Sequence, residues 1–169
     1  KAVLYAYKGH LHTYLGNSTE ANKAFSLAVD LCDNSSKAWA LYGEYLEVAF
    51  TKNPKNSINS GVSALTCFLH ASRENNEIKT RKYLSKVLYL LTYDEARVDM
   101  LKAFENYMLG VPMINWLVWI PQLFNGLVQY ESDTIMNLLN QIAKIYPQAI
   151  YFPIRTLYLM LKIEQRERY

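Results

Sequence analysis

The chain is patterned for helices almost from end to end. Between Asp133 and Tyr146, Ile135, Leu138, Leu139, Ile142, Ile145 and Tyr146 recur at i, i+3, i+4, i+7, i+10 and i+11, which places them on one face of a helix. Period-two alternation, the mark of a half-buried strand, is nearly absent. The same reading along the chain predicts helices over 2–15, 19–32, 36–51, 60–73, 78–91, 94–108, 113–129, 133–145 and 148–166. Start signals agree: Asn17 with Glu20 and Thr92 with Glu95 have capping-box spacing, and Ser132 is placed to cap the helix that follows it. Short connections make consecutive helices antiparallel neighbours.

A repeat lies inside this pattern. Tyr5 and Gly9 recur as Trp39 and Gly43, 34 residues on. An aromatic followed four residues later by glycine opens the first helix of a tetratricopeptide unit; the glycine admits the second helix closely and the aromatic fills the space beside it. Ala21, Phe25 and Ala28 match the second helix of such a unit, and Ala64, Phe68 and Ala71 match it again after an insertion around TKNPKNSINS. Residues 2–73 therefore read as two tetratricopeptide-like units. The signature is lost afterwards, and WLVWIPQLF, with Trp116, Trp119 and Pro121, suggests bulkier HEAT-like hairpins over 78–169. The expected fold is all-α: a right-handed α-solenoid of antiparallel helix pairs, tetratricopeptide-like in its first half and HEAT-like in its second, each pair burying its face on the next.

Composition sharpens this. Of 169 residues, 51% are hydrophobic and 20% charged, which fits a folded chain with large internal surfaces. A net charge of +3 is too small to imply direct nucleic-acid binding. No apolar run reaches the length of a membrane span. Cys32 and Cys67 stand alone in apolar contexts, which is no disulfide framework and points to a reducing compartment. Asn17-Ser18-Thr19 and Asn34-Ser35-Ser36 match the glycosylation pattern, but both sit at helix starts and read better as caps. The text opens inside a helical pattern and ends on IEQRERY, so it reads as part of something longer.

Candidate chemistry is sparse. His10 and His12 are two residues apart, on different helix faces, and His70 has no cysteine or carboxylate cluster beside it, so no metal site is expected. Gly9, Gly16, Gly43, Gly61, Gly110 and Gly126 are scattered singly, so no phosphate-cradling loop forms. No nucleophile elbow is present, and no catalytic or cofactor-binding residue is assigned. Lys79, Arg81, Lys82 and Lys86 read as a solvated outer face; the competing reading is an anionic ligand such as an inositol polyphosphate, or an acidic peptide. Lys162, Arg166 and Arg168 alternate with Glu164 and Glu167 as surface ion pairs. Where some tetratricopeptide modules clamp a carboxylate, the residues after the glycines here are His10 and Glu44, and an acid at the second place repels one. In IYPQAIYFPIRTLYLMLK, Pro147 suits a first helical turn, Pro153 costs one hydrogen bond and bends the helix unless the helix starts just before it, and Arg155 is expected to reach carbonyls or a carboxylate on a neighbouring helix.

Taken together, KAVLYAYKG, EANKAF, KAWALYGEYLE, GVSALTCFLHA, RKYLSKVLYLL, WLVWIPQL and YPQAIYFPIRTLYLMLKIEQRERY resemble the FAT domain of the transformation/transcription domain-associated protein family, within the phosphatidylinositol-3-kinase-related group. The resemblance covers essentially the whole chain; the last block is its most specific part, and residues 51–60 and 93–100 depart most. It implies a very large nuclear protein of HEAT repeats, FAT domain and a kinase-like domain without catalytic residues. Such a protein serves as the scaffold of SAGA-type and MYST-type histone acetyltransferase complexes and receives transcriptional activators. The implied partners are those complexes' other subunits, activators, and the chain's own kinase-like domain. Two alternatives stay open: the FAT regulatory segment of an active kinase of the group, and a free-standing tetratricopeptide adaptor.

Overall fold

The computed structural model describes residues 1–74, 76–93, 99–130 and 133–167. Among them are nine α-helices and no strand: α1 (Ala2–Tyr14), α2 (Ser18–Leu31), α3 (Ser36–Lys52), α4 (Ile58–Ala71), α5 (Glu77–Leu91), α6 (Asp99–Tyr107), α7 (Ile120–Tyr130), α8 (Asp133–Ile145) and α9 (Pro147–Glu167). They form two compact units, Lys1–Val111 and Pro112–Tyr169.

In the first unit, glycines set the closest crossings. A Cβ at Gly9 of α1 would lie 2.9 Å from the Phe25 ring of α2, and one at Gly43 of α3 would lie 2.9 Å from the Phe68 ring of α4. Each ring is fully buried, worth roughly 2–3 kcal/mol of apolar transfer. Ala6, Ala21, Ala28 and Ala38 join Phe25 in one cluster, their small side chains letting three helices approach. Polar locks fix direction. Tyr42 Oη donates to Asn22 Oδ1 (2.9 Å) and Tyr45 Oη to the Ser18 carbonyl (3.0 Å), so α3 runs antiparallel to α2. Ser36 Oγ donates to the Ala71 carbonyl at 2.7 Å, pinning the start of α3 to the end of α4. Beyond, Leu84 and Leu90 of α5, Met100 and Phe104 of α6, and Met108 just after it extend the core.

The second unit packs Trp116, Ile120, Leu123, Ile135, Leu138, Leu139, Ile142 and Ile150 into its core. Gly126 of α7 admits Ile135 of α8, whose Cδ1 would stand 3.0 Å from an added Cβ. In α9, Pro147 occupies the first turn, and the helix runs unbroken through Pro153.

Several elements differ from expectation. The helix predicted over 113–129 is a 3-10 stretch, Met113–Trp119, followed by α7. Pro121 has no N–H to give to the carbonyl four residues back, and the Ile120 N–H instead reaches Leu117 O, the tighter i→i−3 bond of a 3-10 turn. Asn17 holds the N-cap position of α2 without a side-chain bond; its own N–H already donates to the His12 carbonyl (3.0 Å), and Glu20 pairs with Lys23 (2.9 Å) instead of reaching back to it. Ser35 does cap α3, accepting from Ala38 N, and Asn76 caps α5, accepting from Lys79 N. Thr92 ends α5, where its Oγ1 donates to the Tyr89 carbonyl at 2.7 Å. Glu95, Ser132 and Arg168, and the predicted helix start at 94, lie outside the described residues.

Candidate functional site

The three histidines are held apart. His10 makes an edge-to-face contact with Tyr14, and His12 buries an Nδ1 that has no hydrogen-bond partner. His70 stacks on Trp39 (4.3 Å between centroids) and leans on Tyr107 (5.1 Å). Burial and then the Arg73 charge hold its pKa below the usual histidine value, against the opposing pull of Asp33, 3.8 Å away. Among the described residues no three of His, Cys, Asp and Glu converge on a point where a metal ion would sit. Cys67 is buried, and desolvation pushes its thiol up to about 12, so it is not a nucleophile at neutral pH; Cys32 is exposed.

On the basic stretch of α5, Lys79, Arg81 and Lys82 are exposed, as the sequence suggests, and Lys86 is half-buried. Lys82 donates to Glu44 at 2.8 Å and Lys86 to Glu47, both on α3, while Arg81 pairs with Glu77 one turn back on its own helix (3.1 Å). Lys82 and Arg81 diverge because neighbours in sequence point about 100° apart on a helix. Glu44, which excludes a carboxylate clamp on charge grounds, is thus also spoken for by Lys82. Lys79 lines a cavity of about 410 Å³. Lys37, His70 and Arg73 line it with Asp33 and Glu74, and its cations and anions nearly balance. Sequence reading missed this cavity, because residues 33–37 and 70–79 meet only once α3 and α4 have paired. A second groove, of about 460 Å³, runs between the first turns of α2 and α4 and is lined by uncharged residues such as Asn22, Tyr42, Tyr45 and Ser63.

Arg155 is the other correction. It is exposed and donates to Tyr151 Oη on its own helix (3.1 Å), not to a neighbouring helix. From Tyr151 onward α9 is largely exposed. Among the described residues no helix is long and apolar enough to cross a membrane.

What this geometry defines is a helical-repeat segment whose polar groups are spent on holding helices in register. Comparison with known proteins names the class: residues 1–89 match the FAT domain, and the chain belongs to that family. It is 54% identical over 99% of its length to the transformation/transcription domain-associated protein of Mus musculus and equally so to that of Homo sapiens. It is 36% identical, over 92% of its length, to the SAGA complex/NuA4 acetyltransferase complex subunit Tra1 of Schizosaccharomyces pombe. The chain spans only 4–6% of the length of these relatives.

Proposed function

We propose that the chain is a non-catalytic scaffold segment of a nuclear transcription coactivator subunit, one that assembles histone acetyltransferase complexes and is recruited by activators. The observation that carries this reading is the 54% identity running along 99% of the chain to transformation/transcription domain-associated proteins. The acetyltransferase-complex names of the fungal relatives give the assembly. In this reading the 169 residues are one FAT segment, with two tetratricopeptide-like units over 2–73 and HEAT-like hairpins over 78–169. The segment contributes stacked helices, no catalytic residue and no metal or cofactor ligand. The kinase-like domain to which it is joined in the parent chain is inactive.

The test is affinity purification of the parent protein from nuclear extract, followed by two assays on one preparation. Acetyltransferase subunits in stoichiometric amounts, histone acetylation, and no phosphate transfer from ATP are expected. A preparation that phosphorylates itself or a substrate, and lacks acetyltransferase subunits, would make the segment a regulator of an active kinase instead.

A further inference from the structure

We draw no further inference here: the strongest candidate, the cavity at the starts of α3 and α5 lined by Lys37, Arg73 and Lys79 with Asp33 and Glu74, carries nothing because its opposite charges nearly cancel and nothing in the structure shows what fills or covers it.

Discussion

Lys86 of α5 donates its ammonium proton to Glu47 of α3 while its charge also sits 5.2 Å from the centroid of the Phe68 ring of α4, so one side chain ties three helices. The pair is three-quarters or more withdrawn from water, with side-chain exposures of 24% and 15%. One turn earlier, Lys82 and Glu44 make the same link in the open, at 61% and 36%. The two pairs run in the same direction along both helices, which makes α3 and α5 parallel.

The two pairs should differ in weight. Glu47→Gln is expected to destabilise the first unit by about 2 kcal/mol, since it leaves a largely buried ammonium without its counter-charge. Glu44→Gln is expected to cost under about 1 kcal/mol, as exposed pairs do. Urea unfolding midpoints of the two variants give the comparison; equal shifts would mean that burial is not what distinguishes them.

The glycines offer a sharper contrast. Gly9→Ala and Gly43→Ala each drive a methyl to 2.9 Å from a phenylalanine ring with nowhere to go. Overpacking of about 1–3 kcal/mol outweighs the helix-propensity gain of roughly 0.5–1 kcal/mol, so both should lose stability, and leucine at either place should lose more. Gly126→Ala meets only the flexible tip of Ile135 and should be neutral or mildly stabilising. Thermal melts that rank Gly126→Ala below the other two would undo this account of the crossings.

Cys67 gives a chemical test. Burial alone raises its thiol from 9.0 to about 12, whereas an unfolded chain ionises it near the ordinary value. The thiol therefore supports folding below pH 9, and that support drains away as pH rises from 9 towards 12. At neutral pH an aromatic disulfide reagent should label Cys32 promptly and Cys67 only at the rate of unfolding. Two fast thiols would contradict the burial.

His70 has the opposite sign. Its folded pKa lies below 6.5, so as pH falls through 6.5 the unfolded chain takes up a proton that the folded chain refuses. Stability from this group is complete above that pH and is lost in acid. Asp33, Arg73, Lys37, Lys79 and Glu74 surround the same cavity and modulate the slope. Urea midpoints between pH 7 and 5 should fall more steeply for the parent than for His70→Gln; parallel lines would remove His70 from the explanation.

The helical character and most helix positions were legible because apolar spacing is a local signal, and α1 to α5 begin and end within two residues of where the pattern puts them. Failures cluster where a side chain had a choice of partner. Glu20 took Lys23 over the start of its own helix. Lys86 looked solvated because Glu47 is nearly forty positions away and becomes its neighbour only through tertiary packing. WLVW misled for a different reason: apolar periodicity does not separate α from 3-10, and only the missing N–H of Pro121 does. Arg155 was assigned a partner on another helix when Tyr151, one turn behind, was close enough.

The stack of His70 on Trp39 also gives the molecule an optical handle. The sequence has three tryptophans, and Trp39 is the one that falls in the first unit, Trp116 and Trp119 falling in the second. An imidazolium quenches indole emission far more strongly than a neutral imidazole does, and here the rings lie 4.3 Å apart and nearly parallel. In a variant with both other tryptophans replaced by phenylalanine, emission would report proton uptake by one histidine. It would also report the parting of α3 from α4, without any label being attached.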